Sequence, residues 1–108
     1  MNKLVVTFLA LMATVAGIAL AADAKNGADV FNKSCKPCHG EGGATPNAQV
    51  EKMFGSPIPV LGSPEIQAKS DADFRKAITE GKGKMPIAKN VTGGAIDDVI
   101  AYMRTMKK

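Results

Sequence analysis

The sequence predicts an all-α domain, compact, with three to five helices joined by long loops and no sheet. Apolar residues recur at spacings of three and four in several stretches. Capping residues and glycine or proline breakers bracket those stretches, and no stretch shows sustained alternation of apolar and polar residues. With 108 residues the chain has room for one domain.

The opening segment reads as lying outside that domain. Asn2 and Lys3 make a short positive start, Leu4 to Leu20 is an uncharged apolar run, and Ala19-Leu20-Ala21 places small residues where a signal peptidase reads them. The expected division is therefore a signal peptide over 1–21 and a single domain over 22–108, with cleavage after Ala22 or Ala24 as alternatives. A retained membrane anchor is the competing reading. The run sits at the low edge of what spans a bilayer, and no Lys/Arg cluster follows it. Cleavage implies export to the periplasm, with no stable membrane insertion afterwards.

The net charge of +4 includes Lys3, which leaves with the leader. Such a mild excess, without a basic run interleaved with aromatics, excludes a nucleic-acid partner. A domain this small buries a limited share of its surface and tends to need a staple, such as a disulfide, metal or cofactor.

Along the mature chain, Asp23 caps a first helix running to the cysteines, with Ala24, Gly27, Ala28, Phe31 and Cys35 facing inward. A glycine inside a helix costs about 1 kcal/mol against alanine, so Gly27 marks either close backbone packing or a tolerated surface position. Gly40 to Ala48 is a loop, and Gln49 to Phe54 forms a short helical turn. Gly55, Pro57 and Pro59 bar a regular helix up to Gly62. Ser63-Pro64-Glu65 opens a short helix, with the proline at its first position. Ser70 and Asp73 form a capping box for the next, whose buried side is Phe74, Ala77 and Ile78, and Gly81 stops it in a left-handed conformation. Thr92 caps a last helix with a stripe of Ile96, Val99, Ile100, Met103 and Met106, and Lys107 and Lys108 suit its negative end.

The chemistry is carried by Cys35-Lys36-Pro37-Cys38-His39, a Cys-x-x-Cys-His motif with the spacing that attaches haem c. Two thiols three residues apart on a helical turn can add to the two vinyl groups of one haem, and the adjoining His39 then lies under the iron. Three other readings are weaker. A zinc site lacks a fourth strong ligand. A redox dithiol expects a strand–helix–strand setting that is not visible. A plain disulfide leaves His39, the single histidine, unexplained.

The second axial ligand is expected from a methionine. Met1 and Met12 leave with the leader, Met103 and Met106 lie on the apolar stripe, and Met53 lies in a short turn. Met85 sits in Gly81-Lys82-Gly83-Lys84-Met85-Pro86, a loop that no core-packing pattern explains. Thioether ligation opposite histidine is the cytochrome c arrangement. Met85 is the expected ligand, with Met53 as fallback.

These residues resemble the small bacterial monohaem class I cytochromes c over nearly the whole mature chain. The resemblance rests on the haem motif, on Gly27, Phe31 and Cys35 at intervals of four, on Val99 and Tyr102 in the last helix, on Met85-Pro86, and on Thr92. It implies a cytochrome c domain over 22–108, its helices wrapped around one covalently bound haem c. It implies cofactor-binding residues Cys35, Cys38, His39 and Met85, with His39 and Met85 on the iron. It also implies a proline carbonyl, Pro46 being nearest, accepting the other ring proton of His39, and Asn90 donating to the Met85 sulfur. The chain departs from the family at Gly93-Gly94, where acidic residues often stand, and in lacking tryptophan.

With both axial positions filled, no site is open to substrate or oxygen, so a monomeric electron carrier is expected and not an enzyme. Its partners are other cytochromes, reductases or oxidases with acidic docking surfaces, steered by Lys36, Lys52, Lys82, Lys84 and Lys89. A haem-based sensor of small ligands and the electron-entry subunit of a larger enzyme complex are the alternatives. A peroxidase-like enzyme has no distal histidine available.

Overall fold

The computed structural model describes residues 22–108, so the leader reading falls outside the described residues. Six helical segments follow in order: α1 (Ala24–Ser34), α2 (Lys36–His39), α3 (Ala48–Phe54), α4 (Pro64–Gln67), α5 (Asp71–Glu80) and α6 (Gly94–Arg104), with a 3-10 turn at Glu41–Gly43. The count exceeds the expected three to five by α2, the single motif turn that follows the first helix directly. Among the described residues there is no strand, only an isolated antiparallel bridge between Lys82 and Met85. No described helix is long and apolar enough to cross a membrane.

The caps largely follow the sequence. Asp23 accepts from the Lys25 and Asn26 amides, Ser63 from Ile66, and Ser70 and Asp73 form the reciprocal capping box. Thr92 does not cap α6. Gly93 holds that position with φ 58° and no side-chain bond, because the turn before α6 needs a backbone that a threonine avoids. Gly81 has the expected positive φ of 78°, but its ψ of 171° is extended and not left-handed helical. That geometry turns the chain back on itself: a Cβ at Gly81 would lie 2.7 Å from the Met85 carbonyl oxygen. α6 ends at Arg104, so this residue, and not Lys107 or Lys108, occupies its last turn.

The core forms where α1 crosses α6. Phe31 and Val99 are fully buried, and Phe31 meets Tyr102 edge to face with ring centroids 5.4 Å apart. Gly27 is the contact point. A Cβ there would lie 1.9 Å from the Asp98 carbonyl oxygen, so close packing, and not a tolerated surface position, accounts for this glycine. The Asp98 side chain fastens the same crossing, accepting from the Asp23 amide at 2.8 Å and from Asn26 Nδ2 at 2.8 Å. On the other side of α6, Phe74 and Ile78 of α5 join Ile96, Ile100 and Met103. Arg104 ties α6 to the α4–α5 link: it donates to the carbonyls of Gln67 (2.8 Å) and Lys69 (2.6 Å), pairs with Asp71 at 2.8 Å and covers the Phe74 ring at 4.4 Å.

Two outcomes follow from the crossing. Gly27→Ala forces a methyl into backbone and is expected to cost about 3 kcal/mol, at the upper end of overpacking, lowering the thermal midpoint by more than about 10 °C for a domain of this size. Asp98 lies below its ordinary 3.8, first because of the Asp23 amide and then because of Asn26. A depressed carboxylate stabilises the fold above its unfolded value and loses that contribution as pH falls. Asp98→Asn is therefore expected to be less stable than the native protein at pH 7, with the gap closing below about pH 4 when urea midpoints are measured across pH.

Candidate functional site

The motif turn continues the axis of α1. The Cys35 amide donates to the Phe31 carbonyl at 2.8 Å and the His39 amide to the Cys35 carbonyl at 3.0 Å, so the buried part of α1 aims the turn inward. Both cysteines are half-buried. Burial, with a smaller contribution from Cys38, pushes the Cys35 thiol up to about 11, which keeps it protonated. Burial also pulls His39 below its ordinary 6.5, so its imidazole is neutral and free to bind a metal.

Two clefts meet at this turn. The first lies between Cys35, His39, Phe31, Leu61, Phe74 and Met85. The second lies between Cys38, His39, Val50, Phe54, Ile58 and Met85. His39 and Met85, far apart in sequence, line both. The exposed lining of both clefts is mainly apolar, as in cofactor pockets generally.

Met85 reaches the clefts on a tight backbone hairpin. The Lys82 amide donates to the Met85 carbonyl at 3.1 Å, and the Met85 amide to the Lys82 carbonyl at 2.9 Å. Beyond it, the Ala88 amide donates to the Ile78 carbonyl at 3.0 Å, holding the exit of the hairpin on α5. Met53 is 75% exposed and lines neither cleft, whereas Met103 lies in the core, as its stripe predicts, and also lines the first cleft.

The family model described as "Cytochrome C oxidase, cbb3-type, subunit III" matches residues 22–103. Cytochrome c6 of Gloeothece citriformis is 33% identical over 86 residues, spanning 79% of this chain and 73% of that protein. The chain belongs to the small monohaem class I cytochromes c. The solved c-type cytochrome KustC0563 superposes with a TM-score of 0.62 at 26% identity, over 76% of this chain and 98% of that one. Members of the family carry covalently attached haem c and transfer electrons through it.

The residues of this cytochrome fit that group. Among the described residues, His39 Nδ1 is the one buried side-chain nitrogen or oxygen with no hydrogen-bond partner. An unpaired polar atom in an apolar cleft costs about 1–3 kcal/mol, which a ligand or hydrogen-bond partner removes. Cys35 lines the first cleft, Cys38 the second and His39 both, a donor set suited to thioether attachment and axial ligation.

Two expected second contacts are absent among the described residues. The Pro46 carbonyl does not receive a His39 ring proton, and Asn90 makes no bond to the Met85 sulfur. Asn47 organises the loop instead: its amide donates to the Cys38 carbonyl at 2.9 Å and its Nδ2 to the Pro37 carbonyl at 3.1 Å. Sequence reading passed over Asn47 as a loop residue, although an asparagine ahead of a short helix is a recognised cap signal, and it does cap α3 here. Lys69 was also missed. It lines the first cleft with Lys82 and Asp73, and its side chain against Lys82 pulls that ammonium below its ordinary value.

Proposed function

We propose that this cytochrome is an exported, diffusible electron carrier in which Cys35 and Cys38 hold the haem by thioether bonds and His39 and Met85 are its two axial ligands. The observation that carries the reading is the convergence of His39 and Met85 on both clefts. Bound haem c supplies the one-electron iron couple. The protein's own residues do the rest. His39 is kept neutral by burial, so its nitrogen is available to the metal. Met85 is held by the Lys82–Met85 hairpin, and Phe31, Phe74, Ile78 and Leu61 exclude water from the first cleft. An apolar surround disfavours extra charge on the ferric form and so raises the potential.

With both axial positions taken, the protein is a carrier and not a catalyst. Export to the periplasm is supported by the leader pattern. Lys36, Lys52, Lys82, Lys84 and Lys89 are all exposed, and none is in an ion pair among the described residues. Exposed cations, with Lys82 and Lys84 lining the second cleft, suit redox partners with acidic docking faces. A second reading, electron entry as a subunit of a larger oxidase, is favoured by the description of the matching family model. Recovery of the protein in the membrane fraction, bound to other chains, would support that reading over a free carrier.

The visible spectrum of the purified holoprotein tests the ligand set. A low-spin spectrum, a weak far-red sulfur-to-iron band when oxidised and no response to carbon monoxide are expected, with Met85→Ala losing the band and binding carbon monoxide. A high-spin native spectrum, or ready carbon monoxide binding, would put the small-ligand sensor ahead. For docking, Lys82→Glu combined with Lys89→Glu is expected to slow electron transfer to an acidic partner severalfold at low salt, the difference fading above about 0.15 M. Equal rates for mutant and native protein at low salt would remove the steering role.

A further inference from the structure

The two banks of the second cleft come from separate parts of the chain. One is α3 with the following prolines, and the other is the Met85 hairpin. α3 is weakly rooted, for it has no buried residue. Its start is tied to the motif turn through Asn47, and Glu51 Oε2 accepts from the Ile58 amide at 2.8 Å, within the same bank. Across the cleft, one hydrogen bond among the described residues joins α3 to the hairpin: Lys84 Nζ donates to the carbonyl of Phe54, the last residue of α3. That carbonyl lies at the negative end of the helix, where the intrahelical pattern leaves it without a partner. The Lys84 ammonium also lies beside Gly55, 3.8 Å from where a Cβ would stand.

We propose that Lys84 is a latch, a positioning residue that clamps the Met85 hairpin to α3 and sets how readily Met85 yields the iron to another ligand. The inference rests on Met85 being the second axial ligand. The hairpin is closed by its own backbone bonds and rooted on α5 through Ala88, and on the α3 side Lys84 makes the one hydrogen bond among the described residues that opposes its outward swing. Lys84 therefore does more than add charge to the docking face. Its neighbour Lys82 lines both clefts, yet neither Lys82 nor Lys52 bonds across the cleft.

The test is an imidazole titration of the ferric holoprotein, followed by the visible spectrum and the far-red band, for the native protein and for Lys84→Met, Lys84→Arg, Lys52→Met and Met85→Ala. Losing one charge-assisted hydrogen bond that opposes ligand exchange is expected to lower the half-saturating imidazole concentration of Lys84→Met by about tenfold, or about 1.4 kcal/mol. Lys84→Arg, which keeps a donor, is expected to stay within about twofold of native, as is Lys52→Met, which loses a charge without breaking the bond. A general loss of stability would not be rescued by arginine. Native affinity in Lys84→Met, or an equal shift in Lys52→Met, overturns the latch while leaving the Met85 ligand reading intact, provided Met85→Ala has lost the far-red band. If Met85→Ala keeps the band, the ligand reading and the latch fall together.

Discussion

The crossing of α1 over α6 is the constraint on which the rest of this cytochrome depends. Gly27 lets the two backbones touch, with no room for even a methyl group against the Asp98 carbonyl. That closeness is what allows Phe31 and Val99 to be wholly buried and Phe31 to meet Tyr102. A domain of this size has few such side chains to bury, so each contributes a large share of a small total. The crossing also has a functional consequence. Phe31 is one turn before Cys35, and its carbonyl receives the Cys35 amide, so burying Phe31 fixes the direction in which the thiols and His39 point.

The opposite wall hangs from the same helix. Phe74 and Ile78 of α5 pack in the cluster that includes Ile96, Ile100 and Met103, and Arg104 spans the gap to the α4–α5 link. Gly81 then turns the chain tightly enough for the Met85 carbonyl to lie against it. His39 and Met85 thus come to the same clefts through two independent attachments to α6. The packing is densest near α6, whereas α3 has no fully buried residue and, among the described residues, is joined to the methionine side by one hydrogen bond from an exposed lysine. A carrier needs a firm ligand set and little rearrangement between its redox states. The fold places its packing where it holds the histidine side most firmly.

Much of this was legible in the residues because it is local. Asp23, Ser63 and the Ser70–Asp73 pair cap helices through bonds to amides two or three residues away, and the stripes on α1, α5 and α6 repeat with the helical period. The motif Cys35 to His39 is local chemistry as well. Where the expected caps failed, the backbone conformation of a nearby turn decided instead. Gly93 displaced Thr92 as the cap because of the turn entering α6, and Gly81 took an extended ψ because the hairpin folds back on it. His39 Nδ1 has no hydrogen-bond partner among the described residues, and Asn47 binds the motif turn through the Cys38 and Pro37 carbonyls.

By itself, then, the sequence determined an all-α chain, the Cys-x-x-Cys-His turn, and Met85 as the methionine that core packing does not explain, since each depends on spacing within a few residues. Tertiary structure alone decided that Gly27 is a helix contact, that Met53 faces solvent while Met103 also reaches the first cleft, and that Lys84 spans the second. Those outcomes depend on which segments meet after the chain has closed on α6. A side chain's neighbours across 30 or more positions are set by the packing of whole helices, and no residue's own propensity encodes them.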